Sequence, residues 1–417
     1  MSTALATAAP SFDLATVRAA FPALRQEVHP GKPLVYLDSA ATALKPQPVL
    51  DATMDAYAKD VANVHRAVHA LSQRATARYE GARDTVRDFL GAAAREEIVF
   101  VRGASEALNL VASSWGGANL SEGDEILLTE LEHHSNIVPW QLVAERTGAR
   151  VVHVPITDAG EVTLEAFEAK LSAKTKVCAF AHISNSLGTV LPVQAMAERA
   201  HAAGAIVVVD GAQGVVHGAV DVRALGVDFY AFSGHKLYGP TGIGVLYGRQ
   251  ELLEAMPPWQ GGGDMIDRVT LDAGSTWNDL PYKFEAGTPN IAGAIGLGAA
   301  IEWLSALGLD HVAAHEAEVL AYGHARLAEI PGLTLVGSAP RKASVLAFTL
   351  EGIHPSDAGT ILDAEGVAIR TGHHCAQPVM DHFGVTGTAR ASLGVHNGTD
   401  DIDALVQGLE RVRAFFG

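Results

Sequence analysis

From Tyr36 to Gly248 the chain repeats one device: a short run of Val, Ile and aromatic residues, then a longer amphipathic segment. EEIVFV is followed by SEALNLVASSW, EILLT by NIVPWQLVAERTGA, RVVHVPI by TLEAFEAKL, and TKVCAFAHIS by PVQAMAERAHAAG. AIVVVD then precedes a turn and DFYAFS. Continuous apolar runs belong to strands buried on both faces, and spacers of about 10–15 residues have the length of crossover helices. The predicted fold class is α/β, a mostly parallel sheet covered by helices.

At 417 residues the chain exceeds one ordinary core, and two or three domains are expected. Residues 1–30 read as an N-terminal arm: a polar tail, a short helix from Asp13 to Phe21, and a Pro-marked turn. The repeat occupies a large domain, 31–297. It ends in PPWQGGGDMIDRVTLDAGSTWNDLPYKFEAGTPN, a long stretch of the kind that forms functional loops. A helical region spans roughly 290–330. Strands near 333 and 345, a helix after Pro355, a strand at VAIR and a last helix from 400 make a smaller α+β domain, 298–417, against which the arm packs.

Composition removes whole classes of function. Hydrophobic residues make up 48% and charged residues 18%, which excludes disorder. Thirty Lys and Arg against 47 Asp and Glu give −17, a balance that repels phosphate backbones and anionic lipid, so neither nucleic acid nor membrane is the expected partner. No apolar run approaches the roughly 18 residues of a membrane span, and the first residues lack the basic and apolar regions of a secretory signal. A cytoplasmic setting is expected. Two cysteines cannot build a disulfide framework. Cys178 sits in an apolar strand and reads as inert core; Cys375, in RTGHHCAQP, is flanked by Gly, His and Pro where no core would form.

Ligands of such sheets bind at the carboxyl ends of the strands. Polar clusters fall there: Asp210 and Gln213 after AIVVVD; Ser233, Gly234, His235 and Lys236 after DFYAF; and Gly103, Ala104 and Ser105 at a strand-to-helix turn. Each alone has an ordinary reading as a cap or solvated loop residue. Together they describe an anion-binding helix terminus, a carboxylate and a lysine, the set that pyridoxal 5′-phosphate (PLP) requires. EHHSN adds His133 and His134 at another strand end; the first is assigned to ring stacking and proton transfer, the second to an ordinary turn. No phosphate-loop motif is present, and Gly242–Gly248 leads into a strand instead of the helix a dinucleotide fingerprint needs. Among 18 histidines, neither the His65/His69 and His311/His315 pairs nor the clusters around Cys375 complete a ligand set, so no metal is expected.

SGHKLYGPTGIGVLY, VDGAQ, EHHSNIVPW, FEAGTPN and RTGHHCAQP together resemble the SufS-type (group II) cysteine desulfurases, PLP enzymes of the class-V aminotransferase-like family and of fold type I. The resemblance runs from about Phe12 to the C-terminus. It implies that Lys236 forms the Schiff base, Asp210 partners the pyridine nitrogen, Gln213 bonds the phenolate oxygen and His133 stacks on the ring. Ser105, Ser233 and His235 would hold the phosphate, with Thr288 reaching across from a second subunit, which implies a homodimer with active sites near the interface. Asn185 and Arg390 would fix the substrate carboxylate, with Arg370 assisting beside the cysteine loop. His65 would either line the substrate entrance or pack.

By the same resemblance Cys375 takes sulfur from L-cysteine as a persulfide and L-alanine leaves. The thiol must ionise to act, and His373, His374 and Arg370 are its basic neighbours. The short loop implies delivery to an acceptor protein of the SufE or SufU kind, for iron–sulfur cluster assembly. RGASEA departs from relatives with two hydroxyl residues at this turn, since Ala104 has none. The alternatives are a selenocysteine lyase or cysteine-sulfinate-preferring relative, and a PLP-less scaffold that only binds assembly partners.

Overall fold

The computed structural model describes residues 12–417. Its main sheet comprises β1 (Ile98–Val101), β2 (Glu125–Thr129), β3 (Arg150–Val154), β4 (Thr175–Ala181), β5 (Ile206–Asp210), β6 (Phe229–Ser233) and β7 (Gly244–Gly248), in the spatial order β1-β7-β6-β5-β4-β2-β3. Only β7 runs against its neighbours; β2 to β6 pair in parallel. The two faces alternate as the strand period demands: Val207 and Val209 enter one hydrophobic cluster and Val208 the other. Each such buried Val contributes about 1.5–3 kcal/mol, which is why these segments are apolar without interruption.

Helices cover both faces. Between β strands run α4 (Ala104–Val111), α5 (Val138–Thr147) and α6 (Val193–Ala202), while α2 (Gln47–Lys59), α3 (Ala70–Leu90) and α7 (Ile291–Ala306) pack together. The predicted loop after Gly248 is not structureless. It carries a hairpin, β8 (Ile266–Thr270) with β9 (Gly274–Trp277), whose side chains are mostly exposed. Exposure on both faces removes the apolar alternation that would have revealed it.

A second sheet has the order β10 (Leu333–Leu335), β11 (Val345–Leu350), β13 (Thr388–Ser392), β12 (Arg370–Gly372), all antiparallel. It is covered by α8 (Leu309–Ala328), α9 (Pro355–Ala364) and α11 (Thr399–Phe416). The division expected at 297/298 falls inside α7. The chain turns at Gly308, where φ is +81° and glycine is favoured, between α7 and α8. α1 (Leu14–Ala19) is capped by Asp13, and its Arg18 donates to His396 O and Asp401 Oδ2 at 2.8 Å each. Among the described residues no single helix is long and apolar enough to cross a membrane.

Candidate active site

Because β1, β2, β4, β5 and β6 point the same way, their carboxyl ends deliver five turns to one edge of the sheet. A cavity of about 180 Å3 opens there, lined by Ser105, His133, Asn185, Asp210, Ser233, His235 and Lys236. The second sheet closes it with Arg370, His374, Cys375 and Arg390. Eleven residues from both sheets, which sequence reasoning set around one chemistry or left as neighbours of Cys375, thus share one wall.

The phosphate end is the start of α4. Ala104 N–H donates to Ser233 Oγ at 2.8 Å, which ties the phosphate turn to the end of β6. Helix geometry leaves the N–H groups of Ser105 and Glu106 without intrahelical partners, as an anion site needs. Close approach is built in: a Cβ on Gly244 would lie 2.5 Å from Gly103 Cα and 2.6 Å from Phe232 O. His235 touches Thr42 Oγ1 at 3.2 Å through Nδ1, and burial first, then Lys236, holds it near pKa 4.

Asp210 ends β5, its carboxylate accepting, among the described residues, only from Ala212 N–H, at 3.0 Å. Burial pushes Asp210 up and Lys236 down toward their neutral forms, while their mutual attraction opposes both shifts. Lys236 Nζ makes no hydrogen bond to a described residue. An amine, a carboxylate with a free oxygen and an open helix terminus therefore fit PLP: Lys236 would hold its aldehyde carbon, Asp210 its ring nitrogen and α4 its phosphate. His133 Nδ1 meets Ser135 Oγ at 2.5 Å, and burial, then Lys236, depresses it to about 3, so the imidazole is neutral.

The substrate end is cationic. Arg370 and Arg390 face each other across β12 and β13, an arrangement that is unfavourable unless an anion joins them. Arg390 is 1% exposed; it donates to Asn185 O at 2.9 Å and Asp38 Oδ1 at 3.0 Å, and its Nε has no partner among the described residues. Burial lowers its pKa despite Asp38. Asn185 Nδ2 donates to His374 O at 2.7 Å, so it also anchors the cysteine loop. His374 and Cys375 both adopt positive φ, +52° and +56°, at a cost of about 1–3 kcal/mol each for non-glycine residues. His374 Nε2 lies 2.9 Å from Thr388 Oγ1, and burial, then Arg390, holds its pKa near 3.

Gln213 is buried, its Nε2 donating at 2.9 Å to the O of Ala40, a residue that lines the cavity. Thr288 lines a separate opening of about 510 Å3 with Arg102 and Glu106. His65 lies outside the cavity, bonded to Glu80 at 2.9 Å, which raises its pKa. Sequence reasoning missed Asp38 and the lining residues Ala40 and Ala41. The run DSAATA carries their signal, since small residues after a strand permit close approach, but contacts remote in sequence bring it here: the Asp38–Ser392 bridge, Arg390 on Asp38 and Gln213 on Ala40 O. Cys178 is fully buried, and its thiol is pushed up by burial.

The aminotransferase class-V family matches residues 35–405. A "Probable cysteine desulfurase" of Halalkalibacterium halodurans is 54% identical over 401 residues, covering 96% of this chain and 98% of its own. A "Cysteine desulfurase" of Enterobacter sp. is 52% identical over 407 residues, covering 98% and 100%. The crystal structure of the cysteine desulfurase CsdA (S-sulfonic acid) from Escherichia coli superposes with a TM-score of 0.90 at 44% identity, over 97% of this chain and 100% of that one.

Proposed function

Since the chain belongs to the class-V aminotransferase family, and within it to the group II cysteine desulfurases, we propose that it strips sulfur from L-cysteine at Lys236 and stores it on Cys375. The observation that carries this reading is the single cavity into which Lys236, Asp210, Arg390 and Cys375 converge from two sheets.

When bound, PLP supplies an electron sink beside the substrate's Cα. Lys236, kept toward its neutral form by burial, takes the Cα proton. Arg390 binds the substrate carboxylate through the N–H groups that Asn185 and Asp38 leave free, with Arg370 opposite. The Cys375 thiolate then attacks the substrate sulfur. The substrate C–S bond breaks, its electron pair stays on Cβ, which takes up a proton, and Lys236 returns a proton to Cα before L-alanine leaves. Neutral His133 is placed to carry protons during this exchange.

The Cys375 loop has only four residues between β12 and α10 (Gln377–His382), too few to swing a persulfide far outward. A separate acceptor protein of the SufE or SufU kind that reaches in fits this geometry, with iron–sulfur cluster assembly as the destination and the cytoplasm as the setting. A homodimer accounts for Thr288, which would serve the partner's site. Exposed Met54 and Tyr57 on α2 and Val61 just beyond it, with Val269, Leu271 and Trp277 on the hairpin, support such an interface.

The test is L-alanine release from L-cysteine by the PLP-loaded enzyme and its Cys375→Ala variant. The variant should retain cofactor and lose turnover; full activity in Cys375→Ala would refute the assignment.

A further inference from the structure

The cysteine loop is tied to the main sheet through one neighbouring turn. His134 N–H donates to Cys375 O at 2.7 Å, and His134 Nε2 accepts from Gln377 N–H at 3.1 Å. Gln377 opens α10, so the imidazole occupies one of the N–H groups that a helix start leaves unpaired. Within the loop, His373 Nδ1 accepts from Cys375 N–H at 3.1 Å and His373 O from Ala376 N–H at 2.8 Å. The rings of His134 and His373 lie 5.5 Å apart at 33°. Among the described residues, the hydrogen bonds that reach the backbone of this loop and of Gln377 from the turns of the main sheet come from His134 and, at His374 O, from Asn185.

We propose that His134 is a positioning residue for sulfur transfer, bracketing Cys375 by its backbone N–H on one side and its imidazole on the other, and so holding the strained left-handed conformation that aims the thiol. The inference rests on Cys375 being the sulfur acceptor. His134 directly follows His133, so the same turn sets the two reacting ends of the cavity relative to each other. The contact requires Nε2 without a proton. Protonation would remove the acceptor and set a cation against the positive end of α10. The titratable groups around the ring are His133 on its own turn, at 6.3 Å, and His373 and Cys375 on the loop. Burial, then His373, holds the imidazole below its ordinary value, which keeps the bond intact near neutral pH.

The experiment is single-turnover persulfide formation on Cys375 in the PLP-loaded wild type, His134→Ala and His134→Gln, followed by trapping and mass analysis across acid to neutral pH. His134→Ala should be slower by about tenfold at neutral pH, as expected for a displaced nucleophile, with L-cysteine binding and cofactor absorbance unchanged. His134→Gln, whose side-chain carbonyl can accept from Gln377 N–H but cannot protonate, should restore most of the rate and flatten the wild type's decline in acid. Equal rates in all three, or a His134→Gln variant as slow as His134→Ala, would overturn the proposal. Should His134→Ala fail to fold, the rate and acid limb of His134→Gln decide alone. A wild type that forms no persulfide on Cys375 would instead overturn the reading beneath it.

Discussion

At the scale of single residues, the site is a set of charges that the fold refuses to pair completely. Arg390 is the sharpest case, buried with an unpaired Nε and facing Arg370 across two strands. Its planar fork donates to Asn185 O and Asp38 from two separate nitrogens, a geometry that the single nitrogen of an ammonium does not reproduce. Arg390→Lys should therefore raise KM for L-cysteine at least about tenfold, with a smaller effect on kcat, in steady-state alanine assays. An unchanged KM would remove Arg390 from carboxylate binding. Lys236, Asp210 and Cys375 were legible in the sequence because their side-chain chemistry is scarce and sits at strand ends. His134 was not, because its part is a contact with a loop far away along the chain, and no residue type announces such a contact.

At the scale of elements, the parallel strands were legible from uninterrupted Val and Ile, since burial on both faces leaves no other composition. The β8–β9 hairpin and the Ala40–Thr42 turn were not. The hairpin buries little of itself, and the turn is made of small residues whose meaning comes only from contacts remote in sequence, with Ser392, Arg390 and Gln213. Glycine positions give the elements their tightest tolerances. At Gly244, β7 crosses the phosphate turn with no room for a methyl group. Gly244→Ala should push β7 and the Gly103 turn apart at a cost of about 1–3 kcal/mol and weaken PLP retention, read as loss of cofactor absorbance after gel filtration. A variant with wild-type melting temperature and full cofactor would show that the turn is not held by this contact.

At the scale of the whole molecule, the fold takes several imidazoles out of water. His133, His182, His235, His374 and His396 are all depressed by burial to about 3 or 4, against an ordinary 6.5. Between those values the unfolded chain binds more protons than the folded one. Stability from these groups is thus present above about pH 6.5 and lost as pH falls, by about 1.4 kcal/mol per histidine per unit. Urea midpoints should drop steeply from about pH 7 to about pH 5; a flat profile would contradict the burial. The strong acidity of the chain finds no role in the site beyond solubility. The central claim is that one thiol in the shared cavity carries the sulfur, and the direct measurement is peptide mass analysis after a single addition of L-cysteine to the PLP-loaded protein. The account predicts a gain of one sulfur atom on the peptide containing Cys375, none on that containing Cys178, and one alanine released per persulfide. Alanine released with Cys375 unmodified and no acceptor present would contradict it.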